Sequence, residues 1–218
     1  MTSPQTASRA LTRAQKGMET PQIIVETHLP GGLPGFTLVG LPETAVREAR
    51  DRVKSAIQNC GMNFPAGRVV VNLAPADLVK EGARFDLAIA ISILCATDQV
   101  PQTRAACYEF LGELSLYGEL RATRGCLCAA LAITENRKLI VPAANASEAS
   151  IVKEGDMIPM QHLMDVVRLL RDPEYLQPTG TAAFSTCVLP MPRRPEAEPL
   201  QEVLGQKAAK RALVIAAA

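Results

Sequence analysis

Cationic side chains are the residues of this sequence that could do chemistry, and they fall in three stretches. Lys80 and Arg84 flank the glycine of a short Lys-Glu-Gly-Ala-Arg segment. Arg68 opens an apolar run, and four further cations lie along one candidate helix, namely Arg47, Arg50, Arg52 and Lys54. Arginine and lysine supply most protein contacts to nucleic-acid phosphates, and the same charges pair with acidic side chains. These seven residues are therefore predicted contacts for DNA or for a neighbouring subunit.

The loop that carries the first pair of cations is predicted to join a buried strand to a buried helix. Residues 68–73 are apolar and rich in β-branched side chains, and Pro75 ends the strand because proline cannot donate to a sheet ladder. Residues 85–96 are nearly all apolar, which predicts a helix buried on most of its faces. Asp86 falls in the first turn, where the helix dipole favours a carboxylate. A loop between two such elements can present its side chains to a ligand or a partner.

The four clustered cations lie on a predicted amphipathic helix over residues 43–59, which Gly61 is expected to cap. The residues predicted to form its buried face are Val46, Ala49, Val53, Ala56 and Ile57. On the outer face the cations interleave with Glu48 and Asp51. A solvated face with local ion pairs is the simpler interpretation, and a nucleic-acid face is the alternative.

Short strands and helices alternate along the rest of the chain up to residue 170. Strands over 23–25 and 36–39 flank a proline- and glycine-rich turn, which lacks a Gly-Lys-Ser/Thr ending and is predicted to be a structural hairpin. The other predicted elements are a hairpin over 110–121, strands over 138–141 and 157–160, and helices over 125–134, 146–153 and 162–170, the second of these capped by Asn145. This alternation predicts an α/β protein with a mixed sheet.

Changes in composition divide the chain into four parts. Residues 1–18 contain three cations and a weak hydrophobic pattern, which predicts a loosely held start. Residues 19–172 form the predicted domain, and the proline-rich residues 173–199 are a predicted linker. Residues 200–218 resume a helical pattern. They are expected to begin a second domain, so the sequence is expected to be the front part of a longer protein.

Composition limits the functional classes. The chain of 218 residues is 48% hydrophobic, enough to bury one α/β core, and its net charge of +1 gives no global signature of nucleic-acid or membrane binding. Six cysteines, no secretory leader and no apolar run of membrane-spanning length predict reduced thiols in a cytoplasmic protein without membrane contact. Cys126 and Cys128 would point to different sides of a helix, and no metal site is expected.

Three long segments closely resemble the amino-terminal domain of the ComM/YifB family, the magnesium-chelatase-like AAA+ ATPases. The segments cover residues 32–57, 64–94 and 108–125. The resemblance implies a Lon-protease-like fold, which is also found in a domain of a small-subunit ribosomal protein. It further implies that residues 200–218 lead toward a Walker A loop. Because the sequence contains no GxxxxGK[ST] motif, it is expected to stop before that loop.

Lon proteases use a serine nucleophile and a lysine base, and the resemblance places these two positions at Arg84 and Leu127. An arginine cannot attack a carbonyl at neutral pH and a leucine cannot accept a proton, so no catalytic residue is expected. A Lon-like hydrolase is therefore a disfavoured alternative, with Ser92 and Ser115 expected to be structural hydroxyls. An RNA-binding module is the other alternative and rests on analogy of fold alone.

The family implies ATP-driven work on DNA by the full-length protein. That protein resembles a hexameric branch-migration helicase of natural transformation, with ATP and Mg²⁺ as cofactors and single-stranded or branched DNA as partner. Within it, Leu204 and Gly205 are implied to line the adenine side of the nucleotide site. The present chain lacks the phosphate cradle and is expected to bind no ATP by itself.

Overall fold

The computed structural model describes residues 7–40, 44–133, 137–149, 157–172, 175 and 204–217. These residues belong to two compact units, which divide between Cys187 and Val188. The strands are β1 (Ala7–Arg13), β2 (Gln22–His28), β3 (Gly35–Val39), β4 (Arg68–Ala74), β5 (Tyr108–Phe110), β6 (Glu113–Leu114), β7 (Leu120–Arg121), β8 (Lys138–Pro142) and β9 (Met157–Met160). The helices are α1 (Thr44–Asn59), α2 (Asp86–Ala96), α3 (Gln102–Ala105), α4 (Cys126–Leu131), α5 (Ala146–Ala149), α6 (Leu163–Arg171) and α7 (Lys207–Ala217).

Seven strands of the first unit form one mixed sheet in the order β3-β4-β2-β1-β5-β8-β9. The pairs β1–β2 and β2–β4 are antiparallel, and the remaining neighbours are parallel. Helices α1 and α2 pack into the same core as the sheet. The predicted α/β class with a mixed sheet is confirmed.

The first strand, β1, lies inside the sheet between β2 and β5. The prediction of a loosely held start is therefore wrong for residues 7–13, and residues 1–6 lie outside the described chain. Arg13 weakened the apolar pattern, but its buried Nε lies 2.5 Å from Oε2 of the buried Glu109 on β5. Gln22 donates to the same carboxylate at 2.8 Å. Buried charges can occupy a central strand when they are paired and hydrogen-bonded, as Arg13 and Glu109 are here.

Strand β4 lies between β2 and β3, so these two strands do not form the predicted hairpin. It is antiparallel to β2 and parallel to β3. The turn between β2 and β3 passes close to Gly67, the residue directly before β4. Local turn signals indicated a reversal of the chain correctly, but they carry no information about a third strand inserted from further along the sequence.

Helix α1 buries the face that the sequence predicted, and all five apolar residues of that face have no exposed surface. Gly61 follows the helix with φ of 70°, and the Met62 amide donates to the Ile57 carbonyl at 3.1 Å. This is the Schellman pattern expected of a glycine cap. Helix α2 is buried at every residue, so α1 and α2 form the core layer that covers the strands.

The predicted elements after residue 107 are confirmed with shifted boundaries. The hairpin around Tyr117-Gly118 consists of β6 and β7, whereas residue 110 belongs to β5 of the main sheet. Helix α4 ends at Leu131, earlier than predicted, and α6 begins after His162, whose Nδ1 accepts from the Met164 amide. Of the predicted helix over 146–153 the structure describes Ala146–Ala149, which form α5, and residues 150–153 lie outside the described chain.

Of the predicted linker over residues 173–199 the structure describes only Tyr175, which packs against the core of the first unit. In the second unit the described residues are 204–217, where α7 confirms the predicted helix. None of the helices in the described parts of the chain is long and apolar enough to cross a membrane.

Candidate functional site

A cleft of about 550 Å³ opens beside Arg84, at the start of α2. Its lining comes from three segments that are distant in sequence: Gln15 and Gly17, residues 81–84, and Glu113 with residues 122–124. The first segment follows β1 and the third follows β5, and these two strands are parallel neighbours. The cleft therefore lies beyond the carboxyl ends of adjacent parallel strands, where α/β sheets commonly bind ligands.

Arg84 is held in the wall of this cleft by hydrogen bonds to both neighbouring segments. Its Nη2 donates to Gln15 Oε1 at 2.6 Å and to the Arg124 carbonyl at 2.7 Å. The Arg84 carbonyl accepts from the Gly112 amide at 3.0 Å. The residue is 8% exposed, and its buried Nη1 has no acceptor among the described residues. Burial lowers the pKa of the guanidinium, which nevertheless stays charged at neutral pH.

The segment that receives Arg84 is itself fixed in place. Gly125 has φ of 74°, a conformation that favours glycine, and a Cβ at this position would lie 2.6 Å from Gln15 Oε1 and would force that oxygen to move. Asn145, expected to cap a helix, ties this segment through its side chain, with Oδ1 accepting from the Thr123 amide at 3.1 Å and Nδ2 donating to the Thr123 carbonyl at 2.8 Å. The cleft therefore has a preformed wall.

Nucleophilic catalysis has no suitable residue pair at this cleft among the residues that the structure describes. Arg84 is engaged in structural hydrogen bonds, and Leu127 has no group that could accept a proton. Cys126 is the thiol that interacts electrostatically with Arg84, but burial raises the pKa of that thiol to about 11. A thiol that is protonated at neutral pH is a poor nucleophile.

Both serines that a hydrolase could have used are structural hydroxyls, as expected. Ser92 Oγ lies 2.6 Å from Thr27 Oγ1 and donates to the Ile89 carbonyl at 3.0 Å. Ser115 Oγ accepts from the Glu119 amide at 3.0 Å and supports the turn of the β6–β7 hairpin. Each is buried, and neither lines the cleft.

Lys80 does not face the cleft, contrary to the expectation that the loop presents two cations side by side. Its side chain has no exposed surface, and Nζ donates to the Pro75 carbonyl within the same loop. Burial lowers the pKa of this amine, an effect that Asp77 partly offsets. Spacing in sequence could not reveal this, because a lysine four residues from an arginine can turn back onto its own loop. Of the two cations, Arg84 alone lines the cleft.

The other five predicted contact residues divide according to what they touch. Arg50 is half exposed and lies 3.5 Å from Asp51, and Arg68 is exposed at the start of β4. Lys54 is exposed, with Nζ 5.9 Å above the centre of the Phe64 ring.

Arg52 points inward instead, because its Nε and Nη2 bind the buried carboxylate of Asp86 at 2.7 and 3.1 Å. It is therefore withdrawn as a contact residue. The backbone of Arg47 lies in α1, and its side chain is outside the described part. Leu204 and Gly205 are exposed residues ahead of α7, in the second unit.

Sequence reasoning missed Gln15, Glu113, Thr123 and Arg124 as residues of the cleft. Gln15 lay in the segment predicted to be loose. Arg124 had one usable signal, because the glycine that directly follows it is the first residue of the predicted helix over 125–134. The contact that joins Gln15 to Arg84 spans 69 positions, which no local pattern reports.

Comparison with known families places residues 25–145 in the family described as Subunit ChlI of Mg-chelatase. The chain belongs to this family. It is 46% identical over 208 residues to Competence protein ComM of Haemophilus influenzae, and 44% identical over 209 residues to YifB of Escherichia coli. Each match covers 95% of this chain and 40% of the relative. The resemblance to ComM/YifB proteins is confirmed, and the chain spans about two fifths of the length of these relatives.

Proposed function

We propose that the first unit is the non-catalytic amino-terminal domain of an ATP-driven DNA motor of the ComM/YifB type. In this proposal the fold is Lon-like and the protease dyad has been replaced. The observation that supports it is the state of Arg84, whose guanidinium is fixed by Gln15 and the Arg124 carbonyl at the position that the resemblance assigns to the Lon nucleophile. The similarity to a protein named for competence supports a role in DNA uptake or recombination.

The rest of the motor would be supplied by the longer protein that the relatives represent. That protein would use ATP and Mg²⁺, assemble as a hexamer of identical subunits, and migrate branches in DNA. Leu204 and Gly205 would line the adenine side of its nucleotide site. The ATPase activity belongs to that longer protein, since the present sequence contains no GxxxxGK[ST] motif.

The DNA contact of this domain would be made by Arg50, Lys54 and Arg68. These three exposed cations belong to one strand–helix–strand unit, in which α1 joins β3 to β4. Lys54 lies over Phe64, and the chain from Phe64 leads directly to Arg68. Phosphate contacts from such side chains are weak singly, and a ring of identical subunits would repeat the patch and raise the effective affinity. Lys80 and Arg84 stay outside this face because both are buried.

A peptidase function is less well supported, because Arg84 is committed to structural contacts and Leu127 supplies no base. The two functions are separated by assays on the full-length protein and on a version that lacks residues 7–175. The intact protein is expected to migrate the branch of a four-way DNA junction with ATP, and the shortened version to lose this activity. ATP-independent cleavage of casein by the intact protein, or absence of any ATP-dependent action on DNA, would contradict the proposal.

A further inference from the structure

We infer that Phe64 stacks an unpaired base of single-stranded DNA, and that this ring makes the proposed DNA face prefer a single strand to a duplex. The inference rests on the DNA function proposed above, because it adds a base contact to the phosphate contacts of Arg50, Lys54 and Arg68. Those cations alone attract any nucleic-acid backbone, whether its bases are paired or not. An aromatic ring among them distinguishes the two, because only unpaired bases expose their faces.

The ring of Phe64 lies at the surface of the domain, beneath one of these cations. Nζ of Lys54 is 5.9 Å from the ring centroid, and the Lys54 side chain is exposed. The face of the ring toward Lys54 is therefore turned outward, while the half-buried Phe64 also packs against the core. Arg68, which is exposed as well, follows four positions later, at most about 14 Å along the chain. A base on this ring would have cations within reach of its phosphates.

The contact between Lys54 and Phe64 can give way to a base. The distance of 5.9 Å is at the outer limit of a cation–π contact, and such contacts are weak at exposed sites. Stacking of a base on an aromatic ring is the stronger contact, and every base offers a π face. As the base arrives, the lysine would leave the ring and its ammonium would bind a phosphate of the same strand. One side chain thus covers the ring in the free protein and contacts the backbone in the complex.

The ring is held in place before any ligand binds. Gln99 fixes the preceding residue, Asn63, because its Oε1 accepts from the Asn63 amide at 2.9 Å and its Nε2 donates to the Asn63 carbonyl at 2.7 Å. Pro65 follows and restricts the backbone of Phe64. The Phe36 ring packs against Phe64 with centroids 5.7 Å apart and planes tilted by 45°. A ring fixed in this way loses little conformational entropy when a base stacks on it.

The first test uses a fluorophore that the chain lacks. The 218 residues contain no tryptophan, so Phe64→Trp places a single indole at the stacking position. At low salt this variant is titrated with oligo-dT of about ten nucleotides, with an abasic strand of the same length, and with the duplex of oligo-dT and oligo-dA. Oligo-dT is expected to quench the indole fluorescence in a saturable way. The abasic strand and the duplex should leave the fluorescence nearly unchanged, because neither offers an unpaired base.

The second test compares the affinities of the unmodified chain for the two single strands, measured by fluorescence anisotropy of labelled DNA. Oligo-dT should bind at least about fivefold more tightly than the abasic strand, as the gain of one stacked base predicts. Phe64→Leu keeps an apolar side chain against the core but removes the π face. It should weaken oligo-dT at least about fivefold and leave the affinity for the abasic strand unchanged, whereas Phe64→Tyr, which keeps the ring, should bind like the wild type.

Tyr108→Leu is the matched control for the leucine variant. Tyr108 is also half-buried, and its ring is also tilted by 45° against a phenylalanine, Phe110. It belongs to β5, which β1 and β2 separate from β4 and β3 in the sheet. Loss of this ring should change neither affinity.

The outcomes separate the stacking from the DNA function on which it rests. Equal affinities for oligo-dT and the abasic strand would leave the phosphate contacts standing and overturn the stacking, and so would an advantage of oligo-dT that survives Phe64→Leu. Absence of binding by every strand at low salt would overturn the DNA face and this inference together. The comparison of the two strands and the tryptophan signal do not need the leucine variant, so they decide the matter even if Phe64→Leu folds poorly.

Discussion

Arg52 and Asp86 form a bidentate salt bridge that links α1 to the start of α2. Nε and Nη2 of Arg52 lie 2.7 and 3.1 Å from Oδ2 and Oδ1 of Asp86, and the Leu114 amide donates to Oδ2 at 3.3 Å. Asp86 has no exposed surface, whereas the arginine side chain is 20% exposed. The salt bridge therefore connects α1 with α2, the helix that follows residues 81–84 of the cleft. Through the Leu114 amide it also connects these helices with the β6–β7 hairpin.

Removal of Arg52 should destabilise the domain strongly. Arg52→Ala would leave Asp86 buried without its cation, and the expected decrease is about 3–5 kcal/mol in the free energy of unfolding at pH 7. Urea denaturation followed by circular dichroism measures it. Arg50→Ala is the control, because the ion pair of that half-exposed arginine with Asp51 lies at the surface and its loss should change the unfolding free energy by less than about 0.5 kcal/mol. Equal effects of the two variants would contradict this role for Arg52.

Asp86 should also make the stability depend on pH. Burial raises the pKa of its carboxyl to about 6, although Arg52 opposes the shift. The folded protein thus binds this proton more tightly than the unfolded chain, whose aspartate keeps an ordinary pKa near 3.8. The stabilisation that protonated Asp86 provides is complete below about pH 4 and is lost as the pH rises through 6. The loss amounts to up to about 3 kcal/mol in the free energy of unfolding. Denaturation of the wild type and of Asp86→Asn between pH 4 and 7 should show that the wild type loses stability relative to the variant as the pH rises. A difference in unfolding free energy that stays constant over this range would refute the role of Asp86.

Gly40 should tolerate no side chain. It follows β3 with φ of 99°, and a Cβ there would overlap the backbone carbonyl of Leu73 on β4. Gly40→Ala is expected to cost more than about 3 kcal/mol, because two backbone segments would have to separate. Gly61→Ala is the matched comparison, with φ of 70° and open space around the added methyl, and should cost about 1 kcal/mol. Thermal unfolding of both would rank them, and similar decreases in stability would contradict the clash.

Introducing a serine at position 84 should not create a protease. Arg84→Ser would place a hydroxyl where the resemblance to Lon proteases implies a nucleophile, but Leu127 still provides no base, and nucleophilic catalysis needs both groups within hydrogen-bond reach. The wild type and this variant are both expected to leave fluorescent casein intact over many hours. Cleavage by Arg84→Ser that disappears in Arg84→Ala would show that a general base had been overlooked.

The elements that could be predicted from sequence are those whose evidence is local. The buried face of α1 follows from apolar residues at intervals of three and four, and its end follows from Gly61. Strand β1 was missed because Arg13 interrupts its pattern, and the carboxylate that compensates it, Glu109, is 96 positions away. A charged residue is thus a misleading sign of exposure when its partner lies on another strand.

The candidate site depends still more on distant contacts. Arg84 was identified from the sequence, but its surroundings were not, because Gln15 and Arg124 are 69 and 40 positions away. The same limit explains Lys80, whose burial depends on how the loop folds back to Pro75. Residue type indicates which side chains can carry charge, and only the fold decides which of them face outward.

The most direct measurement of the proposed function is the affinity of the full-length protein for a fluorescent four-way DNA junction at two salt concentrations. The variant combines Arg50→Gln, Lys54→Gln and Arg68→Gln. The control combines Arg121→Gln, Lys138→Gln and Arg168→Gln, which remove the same charge from other exposed positions.

If the face formed by α1 and β4 binds phosphates, the first variant should bind the junction at least about tenfold more weakly than the wild type. The slope of log affinity against log salt should become shallower by about 0.9 for each phosphate that the variant no longer neutralises. The control should bind like the wild type, and ATP hydrolysis without DNA should be unchanged in both. Equal affinities and equal salt slopes for the variant and the control would show that this domain does not bind DNA through that face.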